Sequence, residues 1–79
     1  MKCFVYVLYS KNHDKYYTGV TKDLERRLKE HNSGKTKSTK AYKPWEFIYK
    51  ELHNSEAEAV KRERYLKSGS GREYLKNLI

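Results

Sequence analysis

This 79-residue chain contains a single cysteine, so no disulfide can form within it. The cysteine, Cys3, lies in an apolar run, which predicts a small buried hydrophobic side chain. The longest apolar run, from Cys3 to Tyr9, is far shorter than the roughly 20 residues of a transmembrane helix. A secretory signal pattern is also missing. We therefore expect a cytoplasmic protein with no membrane partner.

Acidic residues are also few, with 10 Asp and Glu against 18 Lys and Arg, for a formal net charge of +8. Aromatic residues are plentiful, with eight tyrosines, two phenylalanines and one tryptophan. A chain of this size buries only about 60% of its unfolded surface, so large side chains must supply much of the core. A small, basic, aromatic-rich domain typically binds a polyanion, most often nucleic acid. A solvated basic surface without a partner is the alternative.

The chain predicts one α+β domain over residues 1–79, without repeats or linkers. The run from Cys3 to Tyr9 is continuously apolar, which is typical of a central strand covered on both faces. Two capping boxes, Ser55 with Glu58 and Ser70 with Glu73, indicate where two helices begin. The predicted order is β-β-α-β-α-α, over residues 3–9, 16–20, 23–31, 45–52, 55–67 and 70–79.

Charged residues interrupt the apolar faces of two predicted helices. Leu24 and Leu28 define the inward face of the first helix, and Arg27 and His31 lie on or beside it. On the second helix, Glu63 lies in the middle of the stripe formed by Ala59, Val60 and Leu66. Ionisable groups avoid burial unless they are paired or have a task, so these three could meet at one site. The alternatives are an internal Arg27–Glu63 salt bridge, with His31 as an edge residue, or an irregular amphipathic face.

Two tyrosines are predicted on neighbouring strands of a hairpin. Tyr6 shares a strand face with Phe4, and Tyr17 shares one with Gly19, by the period-two rule. If both tyrosines project to the same side, they flank a small dent at Gly19. A tyrosine alone is usually only a packed residue with one hydrogen-bond partner. Two of them beside a glycine, followed by Arg27 and a histidine, form a sharper pattern.

These residues resemble the GIY-YIG nuclease superfamily, and the match spans nearly the whole chain. Phe4-Val5-Tyr6 occupies the place of the first motif, with Phe4 replacing its glycine, and Tyr17-Thr18-Gly19 occupies the place of the second. Arg27 and His31 match the helix signature, and Glu63 matches the later acid. The chain is similar to the stand-alone, single-domain bacterial members. The resemblance implies a three-stranded antiparallel sheet flanked by helices, and metal-dependent hydrolysis of DNA phosphodiesters.

The resemblance also implies a role for each matched residue. It puts Tyr6 and Tyr17 near the attacking water, Arg27 on the scissile phosphate and Glu63 on the metal. His31 assists in proton transfer or orientation, and which group takes the proton stays open between His31 and the tyrosines. One carboxylate suits Mg²⁺ or Mn²⁺, since magnesium keeps several waters and shares ligands with the substrate phosphate.

A lysine-rich loop follows the first helix and is a candidate for contact with the nucleic acid backbone. Its lysines can displace counterions, and Tyr42 and Trp45 at its end can stack on exposed bases. A solvated flexible loop is the alternative. The candidate nucleic-acid-binding residues are Lys35, Lys37, Lys40, Lys43 and, one turn beyond Glu63, Lys67.

The sequence thus predicts a metal-dependent DNA endonuclease of low sequence specificity or with structure selectivity. Its expected partner is DNA, with branched and single-stranded forms included, RNA left open and no small-molecule cofactor. No two of Cys3, His13, His31 and His53 have a standard zinc-ligand spacing. The alternatives are a module on the same fold that binds nucleic acid but cuts poorly or not at all, and a small RNA-associated protein.

Overall fold

The structure is a computed structural model, and it describes residues 2–78. It contains a three-stranded sheet, three α-helices and a short 3-10 turn, in the predicted order β-β-α-β-α-α. The elements are β1 (Cys3–Ser10), β2 (Lys15–Thr21), α1 (Leu24–Ser33), the 3-10 turn (Lys40–Tyr42), β3 (Glu46–His53), α2 (Glu56–Lys67) and α3 (Gly69–Leu78). None of the helices within residues 2–78 is long and apolar enough to cross a membrane.

The sheet has the strand order β2-β1-β3, and both pairings are antiparallel. Successive side chains of β1 project to opposite faces, and both faces are covered. On one face Val5 and Val7 pack with Ala59, Leu66 and Leu75 of α2 and α3. On the other face, Tyr6 and Leu8 pack with Trp45 and, from α1, with Leu24 and Leu28. The predicted central strand and the helices flanking the sheet are therefore confirmed.

Helix α1 is delimited by its caps. The Asp23 side chain accepts a hydrogen bond of 3.1 Å from the Arg26 backbone N–H, which satisfies one of the free donors of the first turn. Gly34 ends the helix in the left-handed region, at φ +83°, where glycine is favoured. The helix runs two residues beyond the predicted end at His31, because the chain leaves the helical conformation only at this glycine.

The start predicted for the last helix, at Ser70, is wrong. Helix α3 begins at Gly69, and the Ser68 hydroxyl accepts a 3.3 Å hydrogen bond from the Gly71 backbone N–H. Ser68 therefore caps the helix where Ser70 was expected to. The capping-box pattern at Ser70 and Glu73 gave the wrong start because Ser68, two residues earlier, has the same capping chemistry. The contact between Gly71 and α2 decides which serine is used. Gly71 packs directly against the backbone at the end of α2.

An ion-pair cluster fixes the rotation of α2 against β3. The Nε atom of Arg62 donates to both carboxylate oxygens of Glu51 at 3.1 Å, and the guanidinium lies over the rings of Tyr65 and Tyr74. Burial raises the pKa of Glu51, but hydrogen bonds from Tyr49 and the charge of Arg62 outweigh it, so the pKa is lowered. Because Arg62 is anchored to β3, the orientation of the next residue on α2, Glu63, is fixed relative to the sheet.

Candidate active site

The two motif tyrosines meet at Gly19. Tyr6 and Gly19 are direct partners across β1 and β2, and the rings of Tyr6 and Tyr17 lie 6.3 Å apart. A Cβ atom at position 19 would lie 2.5 Å from Tyr6 Oη and 3.1 Å from Tyr17 Cε2. Only glycine lets the Tyr6 phenol cross the strand here, because a methyl group would overlap it. The predicted arrangement of two tyrosines around this glycine is confirmed.

A hydrogen-bonded row of four side chains runs inward from the surface. Arg27 Nε donates to Tyr6 Oη at 3.3 Å, and Tyr6 Oη lies 3.1 Å from His31 Nε2. His31 Nδ1 lies 2.8 Å from Thr39 Oγ1. Tyr6 and His31 have 0% exposed surface and Thr39 has 1%, so only Arg27 reaches solvent. Tyr6 itself therefore contacts no solvent, whereas Tyr17 is partly exposed and its ring lies 4.8 Å from the imidazole of His31.

Arg27 is held at two of its nitrogens. Its Nη1 pairs with Glu30 Oε1 at 3.1 Å, while Nε is committed to Tyr6, and its side chain is 29% exposed. Nη2 forms no hydrogen bond with residues 2–78, so its two N–H groups are free to bind an anion. The hydrogen bond to Tyr6 is the main reason that the pKa of Arg27 is raised, so this guanidinium remains charged. The alternative Arg27–Glu63 salt bridge does not form.

Glu63 pairs with a lysine of its own helix and acts on Tyr6 through its charge. Its carboxylate pairs with Lys67 Nζ at 3.3 Å, and its side chain is 21% exposed. Burial is the largest reason that the pKa of Tyr6 is raised, and the negative charge of Glu63 adds to it. The carboxylate is thus within electrostatic reach of the phenol. Lys67, 53% exposed, is the predicted nucleic-acid contact and here neutralises the predicted metal ligand.

The carboxylate of Glu63 would serve an ion that brings most of its own ligands. Within residues 2–78, no three His, Cys, Asp or Glu side chains are grouped closely enough to hold a metal ion. Glu63 is a single, partly exposed carboxylate whose ion-pair partner is the ammonium of Lys67. Mg²⁺ or Mn²⁺ would fit such a site, since these ions take water and substrate phosphate oxygens as ligands.

The lysine-rich loop is anchored, although its four lysines are exposed. Its buried Thr39 and the 3-10 turn hold it against α1, and Asn32 binds the backbone of Trp45 at 3.1 Å. Lys40 and Lys43 both lie within 4 Å of the position that a Gly34 side chain would occupy. All four predicted contacts, Lys35, Lys37, Lys40 and Lys43, project from this segment.

Trp45 does not take the predicted stacking role. It is 5% exposed, packs with Tyr6 and Leu8, and donates its indole N–H to the Thr39 carbonyl at 2.9 Å. The prediction was wrong because the polar loop next to Trp45 in the sequence suggested an exposed side chain. In the structure the indole fills the space between the sheet and that loop. Tyr42 is 36% exposed, and its ring lies 5.4 Å from that of His13.

Sequence reasoning missed two members of the site, Thr39 and Glu30. Thr39 lies in a segment of lysines, serines and threonines that has no periodicity, so nothing distinguished it from Thr36 or Ser38. Glu30 follows Arg27 by three residues, so its spacing makes it a candidate partner on the same helix face, although spacing does not choose between it and Glu63.

The burial of His31 predicts a loss of stability on acidification. Burial, and then the charge of Arg27, lowers the pKa of His31 below its usual value near 6.5. As the pH falls below about 6.5, the unfolded chain binds a proton at this histidine that the folded chain refuses. The free energy of unfolding must therefore fall, by up to about 1.4 kcal/mol per unit of pKa depression.

Urea unfolding at pH 7, 6 and 5 measures this effect. We expect the stability of the wild type to fall more steeply with acidification than that of His31→Gln, whatever their difference at pH 7. The matched control, His13→Gln, changes an exposed histidine in the hairpin turn and should keep the wild-type slope. Equal slopes for the wild type and His31→Gln would contradict the prediction.

Comparison with known proteins places the chain among small bacterial relatives. A family model described as the GIY-YIG catalytic domain matches residues 2–76. A UPF0213 protein of Staphylococcus saprophyticus is 37% identical over 76 residues, covering 95% of this chain and 92% of the relative. UPF0213 protein YazA of Bacillus subtilis is 42% identical over 65 residues, covering 81% and 65%. The solution NMR structure of a UPF0213 protein from Bacillus halodurans is 36% identical, with a TM-score of 0.59, covering 99% of this chain and 85% of that one.

Proposed function

Since the chain belongs to the GIY-YIG catalytic domain family, whose members are generally endonucleases dependent on divalent metals, we propose that it is a metal-dependent DNA endonuclease. The observation that carries the proposal is the Arg27 guanidinium. It is fixed by Tyr6 and Glu30 and has Nη2 free, and the ring of Tyr6 lies beside that of Tyr17. The charge of Glu63 also acts on the Tyr6 phenol. A fixed arginine with free donors is suited to a phosphate whose negative charge grows during the reaction.

Arg27 supplies charge stabilisation on the scissile phosphate. Its orientation is set before substrate arrives, because Nε and Nη1 are already committed to partners within the chain. Such preorganised donors act more strongly than mobile ones, since no reorganisation is needed when charge develops. The Tyr6 hydroxyl is buried, so it cannot meet the attacking water. Its contribution is to hold the guanidinium of Arg27 in place.

Tyr17 is the tyrosine that can face the attacking water. Tyr17 is partly exposed, whereas His31 has no exposed surface and cannot contact a water directly. A phenol is a weak base at neutral pH, so it needs a nearby cation to accept a proton. The positive charge of Arg27 is one such cation.

Glu63 would hold the divalent ion, Mg²⁺ or Mn²⁺, with water and the substrate phosphate as the other ligands. When bound, the ion supplies Lewis-acid stabilisation of the phosphate oxygens. An ion at Glu63 would compete with Lys67 for the carboxylate, and Lys67 would then be available to the nucleic acid.

The substrate we propose is DNA recognised through its backbone, including single-stranded and branched forms. The exposed lysines at 35, 37, 40 and 43 can bind phosphates without regard to sequence. No helix with the character of a base-reading element follows from the sequence, so low sequence specificity or selectivity for DNA structure is the expected outcome.

Cleavage of labelled single-stranded, duplex and branched DNA tests this proposal. Purified wild type, Glu63→Gln and Glu56→Gln are compared with Mg²⁺, with Mn²⁺ and with chelator. We expect metal-dependent cleavage by the wild type and a loss of about 10²-fold or more in Glu63→Gln. Glu56→Gln removes the same charge from the exposed start of α2 and should cleave normally.

A binding module that cuts poorly or not at all is the second candidate. Two observations favour it, since Lys67 neutralises Glu63 and the Tyr6 hydroxyl is sealed from solvent. Salt-sensitive binding of DNA by wild type and Glu63→Gln alike, without cleavage by either in any metal, would establish this function and exclude the endonuclease.

A further inference from the structure

Thr39 is a buried hydroxyl in an otherwise exposed, lysine-rich loop. It is 1% exposed, and its neighbours Ser38 and Lys40 are exposed. Its Oγ1 lies 2.8 Å from His31 Nδ1 and donates to the Thr36 carbonyl at 3.4 Å. Buried polar groups are almost always hydrogen-bonded. The donor and acceptor roles in one of these contacts therefore determine the roles in the next.

We propose that Thr39 is a positioning residue, which holds the ring proton of His31 on Nδ1 and so keeps Arg27 oriented toward the phosphate. The inference rests on the proposed nuclease function for its consequence, but the proton position on His31 is a property of the protein alone. Thr39 touches neither the phosphate nor the attacking water, and it acts through His31, Tyr6 and Arg27.

The direction of the row is set at its inner end. The Thr36 carbonyl can only accept, so the Thr39 hydroxyl donates to it and keeps its lone pairs for His31. His31 Nδ1 then carries the proton and donates to Thr39, which leaves Nε2 as an acceptor. A neutral imidazole has one donor and one acceptor nitrogen, and both are used.

The outer end follows from the inner end. Arginine is only a donor, so Arg27 Nε must donate to Tyr6 Oη, and the Tyr6 proton must go elsewhere. The acceptor at His31 Nε2, 3.1 Å away, receives it. Every buried polar atom in the row is then satisfied, in agreement with the absence of unpaired buried side-chain atoms within residues 2–78.

The opposite tautomer breaks this arrangement. With its proton on Nε2, His31 would donate to the same Tyr6 oxygen that Arg27 already approaches. The Tyr6 hydroxyl proton would then lose its acceptor inside a fully buried site. The phenol would turn or Arg27 would leave, and the guanidinium would lose one of its two fixed contacts.

The tautomer of His31 is measurable by ¹⁵N NMR of its imidazole at pH 7.5. We expect Nδ1 to be protonated and Nε2 bare in the wild type and in Thr39→Ser, which keeps the hydroxyl. In Thr39→Val, which has nearly the same shape without it, we expect Nε2 to gain the proton in a substantial fraction of molecules. Ser38→Ala, an exposed neighbour, should match the wild type.

Protonation of Nε2 in the wild type would overturn the proposal, whether or not any variant folds. An unchanged Nδ1 tautomer in a folded Thr39→Val would overturn it as well. Because these readings need no substrate, they stand apart from the nuclease test. A wild type that does not cut DNA but shows the expected tautomers would refute the proposed function and leave intact the role of Thr39 in holding the His31 proton on Nδ1.

Cleavage kinetics then test the consequence for Arg27. We expect Thr39→Val to lower kcat roughly 10- to 100-fold with little change in KM. A misoriented guanidinium stabilises the transition state less well, whereas substrate binding depends on it little. Thr39→Ser should recover most of the loss. A purely structural role would instead lower the folded fraction, with kcat per folded molecule unchanged, and that result would overturn the link to Arg27.

Discussion

Arg27→Ala is expected to lower the rate of DNA cleavage by about 10²- to 10³-fold, with binding reduced only a few-fold. The guanidinium is held by Tyr6 and Glu30, and its free Nη2 is available to the phosphate. Its loss removes charge stabilisation in the transition state, but only one of many cations that attract DNA. The fold should survive, since Tyr6 keeps its hydrogen bond to His31. Single-turnover cleavage and separate binding titrations measure the two effects.

Arg26→Ala is the matched control for this prediction. Arg26 is the preceding residue, its side chain is 72% exposed, and it lies 3.8 Å from the same Glu30. The variant has the same change in net charge, so it should weaken binding slightly in a salt-dependent manner and cut normally. Equal cleavage rates for the two alanine variants would show that Arg27 is an ordinary surface charge.

Arg27→Lys separates charge from geometry. Lysine keeps the positive charge but has no Nε–H to bind Tyr6 and no planar fork to bind two phosphate oxygens. We expect a cleavage rate much closer to that of the alanine variant than to the wild type. A lysine variant with the wild-type rate would mean that the positive charge alone is sufficient and that the row behind Arg27 has no catalytic consequence.

Local patterns predicted the sheet and α1 because the interactions that create them are close in sequence. The apolar run of β1 has enough side chains for two covered faces, and the cap at Asp23 lies next to the helix that it begins. The face carrying Arg27 and His31 follows from helical spacing alone. These features need no knowledge of where other elements lie.

The partner of Arg27 could not be chosen by spacing alone. Both Glu30 and Glu63 are plausible acceptors, but Arg27 pairs with Glu30 on its own helix, while Glu63 pairs with Lys67 within α2. Where α2 places Glu63 relative to Arg27 depends on tertiary contacts such as that between Arg62 and Glu51, which joins α2 to β3 and is invisible in the helical pattern.

The loop between α1 and β3 was the least predictable region for a similar reason. Its conformation depends on Trp45, which enters the core and binds the carbonyl of Thr39, and on Asn32, which binds the Trp45 backbone. Polar composition alone predicts exposure and says nothing about a single hydroxyl that is buried by a neighbouring histidine. The residue that we infer to orient the site was therefore found only in three dimensions.

Gly71→Ala is expected to destabilise the fold by about 1–3 kcal/mol or more. A Cβ atom at this position would overlap the Tyr65 carbonyl oxygen and lie 2.5 Å from the Leu66 Cα. Both are backbone atoms of α2, which cannot turn aside as a flexible side chain would. Helix α3 would have to move away from α2, and Leu75, which is 5% exposed, would lose its place in the core.

Gly69→Ala provides the matched comparison on the same helix. No atom lies within 4 Å of a Cβ placed at Gly69, so alanine there should be neutral or slightly stabilising, by up to about 1 kcal/mol. Thermal unfolding distinguishes the pair, since each kcal/mol shifts Tm by roughly 4–8 °C in a domain of this size. Equal Tm values would mean that α3 can slide along α2, and that the close approach at Gly71 is not what locks the two helices together behind β1.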